Sequence, residues 1–127
     1  MALDKAWQDY DPATSSRLPG TLGVYELGDA AGNILYIGCA GGKSQFGLRG
    51  EILDRIKQAV DSTTPVSKFR YEVNMMYLTR FVELLEKQQD AAGTLPAANT
   101  VPGEYIPKVV RQRSTHRNVT QKQGSLN

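Results

Sequence analysis

The chain has 127 residues, with fifteen Lys and Arg against thirteen Asp and Glu, for a formal net charge of +2. That length suits one domain with a modest core, and the lack of any run of about 18 or more apolar residues excludes a membrane-spanning helix. The single cysteine, Cys39, excludes an internal disulfide and the paired-cysteine zinc sites. Net charge selects no partner, but its distribution is uneven. Residues 1–103 hold ten Lys/Arg and twelve Asp/Glu, whereas residues 104–127 hold five cations (Lys108, Arg111, Arg113, Arg117, Lys122) and one acid, Glu104.

Met1 to Tyr10 carries Asp4, Lys5 and Asp9 where a secretory signal would carry an apolar stretch, so a cytoplasmic protein is expected. Trp7 and Tyr10 are the expected anchors of this polar segment. Leu18-Pro19-Gly20 punctuates the chain before a first strand at about 22–27. A turn rich in Gly, Asp and Asn follows, then a second strand at 34–38. The glycine-rich stretch 39–47 leads into a helix over about 48–60, in which Leu48, Ile52, Ile56 and Val60 recur every four residues as a buried stripe.

Residues 61–65 break the chain. The alternation of Phe69, Tyr71, Val73 and Met75 with Arg70, Glu72 and Asn74 predicts a half-buried third strand over 68–76. A second helix is predicted over 77–92, with Leu78, Phe81, Val82 and Leu85 inward and Gly93 as its stop. Residues 1–103 read as one domain. Residues 104–127 read as a partly disordered basic tail that would act as an electrostatic arm. If its five cations all met phosphates, binding would fall with log salt at a slope of about −4 to −5.

Two tripeptides carry the functional signal. Gly23-Val24-Tyr25 and Tyr36-Ile37-Gly38 lie on the paired strands, with ten residues between the tyrosines. A hairpin sets such tyrosines near each other. The pair resembles the signature of the GIY-YIG nuclease superfamily, and the likeness extends over roughly 22–99. The resemblance implies an α+β fold, a small three-stranded antiparallel sheet flanked by helices in the order β-β-α-β-α. It implies a metal-dependent endonuclease that hydrolyses phosphodiester bonds in DNA with Mg²⁺ or Mn²⁺. By that likeness Tyr25 is general base or water-orienter, Tyr36 is its partner, Arg49 binds phosphate, Glu83 holds the metal, and Asn99 supports the site.

The residues leave alternatives standing. Tyrosine favours strands for packing alone. Arg55 competes with Arg49, six positions on and on a different face of the helix. Glu86 competes with Glu83, which could equally form a solvated i, i+4 pair with Lys87. A loop asparagine such as Asn99 is common for turn chemistry. Measured from Arg49, the position where many family members carry His or Tyr is Leu53, which cannot transfer a proton. Lys43 in the glycine-rich loop is the candidate substitute, also available to substrate. His116 stands alone in the tail and makes no metal site. Two further readings stand beside the endonuclease: a catalytically weak nucleic-acid-binding module that keeps the fold, and a protein-interaction domain.

Overall fold

The structure is a computed structural model that describes residues 3–11, 13–42, 44–59, 66–100, 104, 105 and 107. Its elements run β1 (Gln8–Asp9), α1 (Thr14–Arg17), β2 (Gly23–Gly28), β3 (Ile34–Ala40), α2 (Gly47–Ala59), β4 (Lys68–Val73) and α3 (Tyr77–Ala92), followed by a 3-10 turn, Ala97–Asn99. The strands form one antiparallel sheet in the order β1-β4-β2-β3. Among the described residues it has four strands where three are expected from the sequence. The extra one is two residues long and pairs Gln8 with Phe69 and Asp9 with Lys68. Two residues are too few to leave a period-2 pattern.

The hairpin forms because its turn is self-supporting. The Asp29 carboxylate accepts the backbone N–H groups of Ala31 and Asn33, and Gly32 supplies a positive φ of 87°. Across β2 and β3, Tyr25 faces Gly38 and Leu27 faces Tyr36. Strand alternation then divides the core. Tyr25, Leu27, Tyr36 and Phe69 meet Leu48, Ile52 and Ile56 of α2 on one face. Val24 and Ile37 meet Phe81, Leu84 and Leu85 of α3 on the other. The sheet is therefore sandwiched between α2 and α3.

The helices follow their stripes with two differences. Leu48, Ile52 and Ile56 are buried as expected, while Val60 lies outside the described residues. In α3 the inward positions are Phe81, Leu84, Leu85 and Gln89, and Leu78 is exposed. Gly93 ends α3 in the left-handed conformation, φ 81°, its N–H reaching the Gln89 carbonyl at 2.8 Å. The strand β4 stops at Val73, short of the expected 76. Val73, Met75 and Met76 are exposed because the ladder with β2 ends at the Gly23–Val73 pair. Alternation in sequence continues past the point where there is a partner strand to give it an inside.

The N-terminal segment crosses the sheet. Trp7 packs against Gly28 and under the Arg70 guanidinium, 3.9 Å from the ring centre, whereas Tyr10 is exposed. At the opposite edge, the buried Asn99 side chain accepts the Ile37 N–H at 2.9 Å and donates to the Ile37 carbonyl at 2.8 Å. It thereby caps the free side of β3 like a one-residue strand. No described helix is long and apolar enough to cross a membrane. The short segment expected at 105–106 is described only at Tyr105, and Pro102, Gly103 and the cations from Lys108 onward lie outside the described residues.

Candidate active site

The two tyrosines sit on the α2 face of the sheet, on neighbouring strands, with ring centroids 6.0 Å apart. Tyr25 is 1% exposed and Tyr36 8%. The Tyr25 ring lies across the backbone of Gly38. A Cβ placed on Gly38 would fall 2.3 Å from Tyr25 Cζ and 2.4 Å from its hydroxyl. The glycine that closes Tyr36-Ile37-Gly38 is thus the floor on which the other motif's tyrosine rests.

Helix α2 brings the charge. Leu48, Ile52 and Ile56 face the sheet, so Glu51 and Arg55, one turn apart, share the flank above the tyrosines. The Arg55 guanidinium stacks 4.3 Å from the Tyr36 ring centre, and its charge is felt by Tyr25 as well. Its Nη1 lies 3.0 Å from Glu104 Oε1, and its Nη2 donates to Oε2 at 3.4 Å. The same Glu104 carboxylate lies close enough for its charge to act on Tyr36. Glu51 accepts the Ser44 hydroxyl at 3.0 Å, and its charge reaches both tyrosines.

Burial dominates the acidity of both phenols. Tyr25 is pushed well above its usual value, first by burial and then by the negative fields of Tyr36 and Glu51, with Arg55 opposing. Tyr36 is also raised, again chiefly by burial, with Arg55 opposing and Glu104 adding to the rise. Both therefore carry their protons at neutral pH. Cys39, which follows the second motif, is half-buried and pushed up to about 11 by burial and by Glu51, so it stays a thiol.

The other sequence candidates are elsewhere. Arg49 is exposed and donates from Nε to the Leu18 carbonyl at 3.0 Å, tying the segment before β2 to the start of α2. Glu83 is on α3, across the sheet from the tyrosines, half-exposed between Arg80 and Lys87. Asn99 is at the β3 edge, bonded to the Ile37 backbone. Leu53 packs beside the α2-face core. Lys43 lies outside the described residues. The structure thus brings together Tyr25, Tyr36, Arg55, Glu51 and Glu104. Glu51 and Arg55 were signalled by the stripe Leu48, Ile52, Ile56, which fixes which flank of α2 overhangs the sheet. Glu104 had no such signal, because it follows the last periodic element.

Among the described residues no group of three or more His, Cys, Asp and Glu is placed to hold a metal. Glu83 does not fit a metal role beside the tyrosines, given its position on the far face and its two cationic neighbours. The chain belongs to the family described as a domain of unknown function, DUF7508, which matches residues 1–91. No curated protein and no solved structure matches it.

Proposed function

We propose that the protein is a divalent-metal-dependent endonuclease that hydrolyses phosphodiester bonds in DNA, with a GIY-YIG-like site centred on Tyr25, Tyr36 and Arg55. The observation that carries this reading is Arg55, whose guanidinium stacks 4.3 Å from the centre of the Tyr36 ring, with the Tyr25 ring centre 6.0 Å from that of Tyr36. A planar fork of N–H donors matches two oxygens of a phosphate. One set over paired hydroxyls would hold a phosphodiester within reach of both. Since both phenols keep their protons at neutral pH, Tyr25 orients the attacking water through its hydroxyl rather than acting as a standing phenolate. Tyr36 and Arg55 fix that hydroxyl's surroundings. Positive charge already in place at the phosphate is the main rate-enhancing element supplied by the chain.

Glu51 is the carboxylate whose surroundings suit a hard divalent ion. Its neighbour is the Ser44 hydroxyl, another oxygen donor, and Mg²⁺ needs only one or two protein carboxylates beside water and phosphate. An ion held there would lower the pKa of a bound water and offset charge on the phosphate.

The test is cleavage of single- and double-stranded DNA with Mg²⁺, Mn²⁺ or EDTA. Metal-dependent cutting is expected, with Tyr25→Phe and Arg55→Gln each losing about 100-fold or more, and Glu51→Gln requiring more metal. Glu83→Ala should cut like wild type, since its side chain lies across the sheet. Equal cutting by Arg55→Gln and wild type would sink the site assignment.

The near-complete burial of Tyr25 favours a second reading, a nucleic-acid-binding module that keeps the fold without turnover. No cutting by wild type, together with salt-sensitive DNA binding that Arg55→Gln abolishes, would select it.

A further inference from the structure

The fork that would take the phosphate already holds an anion. Arg55 faces both oxygens of Glu104: Nη2 donates to Oε2 at 3.4 Å, and Nη1 lies 3.0 Å from Oε1, which is buried and accepts no hydrogen bond. Glu104 thus sits where a phosphate would lie on a guanidinium, but makes only one of the two hydrogen bonds that a well-placed phosphate would make. Glu104 comes from a segment 49 residues further along the chain. That segment leaves the α3-face core at Leu95, is pinned at the β3 edge by Asn99, and reaches the α2 face at Glu104. The next residue, Tyr105, stacks shallowly on Phe81 at 6.4 Å between ring centres and is itself 61% exposed.

We infer that Glu104 is an internal competitor for the substrate phosphate: its carboxylate occupies the Arg55–Tyr36 anion site in the free protein and must leave before a phosphodiester binds. The inference rests on Arg55 being the phosphate-binding residue, as proposed above. Three charged groups decide the occupancy. Arg55 attracts either anion, Glu104 is the resident, and Glu51 on the neighbouring turn repels both. The pair is mostly covered, with 30% of the Arg55 side chain and 12% of the Glu104 side chain exposed, yet it is incompletely bonded, since Glu104 Oε1 accepts no hydrogen bond. A covered carboxylate with one oxygen unsatisfied leaves bonding unused, which an anion that meets both prongs of the guanidinium would gain. The same carboxylate would keep stray anions off the site, so only a ligand with further contacts along its backbone would displace it.

The experiment measures affinity for inorganic phosphate and for a short single-stranded DNA oligonucleotide, in EDTA so that nothing is cut, using the full chain. Wild type, Glu104→Gln, Glu104→Ala, Arg55→Gln and the Arg55→Gln/Glu104→Gln double variant are compared, each with its thermal midpoint recorded. Glu104→Gln and Glu104→Ala are expected to bind both probes roughly fivefold more tightly or better. The gain should vanish on the Arg55→Gln background. In cleavage assays the same variants should lower KM while kcat holds. Oligonucleotide binding that needs Arg55 but is unchanged or weaker in both Glu104 variants would overturn the competitor and leave the endonuclease reading standing. Binding of neither probe by any variant with a wild-type thermal midpoint would overturn both. Loss of kcat in Glu104→Gln with unchanged affinity would overturn the competitor by making Glu104 a participant in the chemistry.

Discussion

The contact between Tyr25 and Gly38 ties the two sequence motifs into one object. A tyrosine ring lies flat on the opposite strand only where that strand has no side chain, and Gly38 is the residue directly across from Tyr25. Gly38→Ala would push a methyl group to 2.3 Å from the ring, so ring or strand must move. Overpacking of this kind costs about 1–3 kcal/mol. We expect Gly38→Ala to lower stability by that amount in chemical denaturation and to cut activity further than the stability loss explains, because Tyr25 is displaced. Gly42→Ala is the control. It has open space around it and no positive φ, so a change above about 0.5 kcal/mol there would point away from the packing explanation. The same scale shows why Arg49 looked attractive in sequence and Arg55 is the residue that arrives. Arg49 stands directly after the glycine-rich loop, where a helix N-terminus invites anions. Yet its side chain turns to the Leu18 carbonyl, because Leu48 beside it is the position that faces the sheet.

At the scale of elements, the order and most boundaries were legible. The hairpin, α2 and α3 are long enough for their periods to register, and Gly93 marks the end of α3 as a glycine in the left-handed conformation should. The parts that were not legible depend on pairing between distant residues. Strand β1 is two residues whose identity as a strand exists only in their partners on β4. Met75 continued an alternation that the ladder does not. Glu83 was on a correctly placed helix, but which face of the sheet that helix covers is decided by the parity of Val24 and Ile37. Asn99 carries its weight in a way sequence does not show. Its amide satisfies both backbone groups of Ile37 from 62 residues away, in a buried position. Asn99→Ala would leave a buried N–H and a buried carbonyl without partners, at about 1–3 kcal/mol for each group left unsatisfied, less where water enters. Hydrogen exchange should show the Ile37 amide losing protection more than amides of β4. Uniform loss across the sheet would mean that Asn99 acts on global stability alone.

For the molecule as a whole, the notable cost is two phenols and a set of charges packed between sheet and helix. On the α3 side the balance is closed. Glu26, 1% exposed, accepts from Arg70 at 2.7 Å and from the Leu3 N–H at 3.3 Å, so the N-terminal segment is stitched across the sheet by a paired charge. On the α2 side Tyr25 and Tyr36 are held neutral, mainly by burial. That has a direct consequence for alkaline stability. An unfolded chain ionises its tyrosines near pH 10, whereas the folded protein keeps these two protonated to higher pH. Below about pH 10 both states carry the protons and the pair adds no pH dependence. Above it the folded state binds more protons than the unfolded one, so stability falls as pH rises, by about 1.4 kcal/mol per pH unit for each tyrosine. Denaturation midpoints followed from about pH 8 to about pH 11 should therefore break downward near pH 10. Tyr25→Phe and Tyr36→Phe should each remove about half of that added slope, and phenolate absorbance from these two residues should appear only with unfolding. A Tyr25→Phe curve that runs parallel to wild type would show that Tyr25 ionises alike in both states, and the neutral, water-orienting hydroxyl assigned to it would have to be replaced by a phenolate.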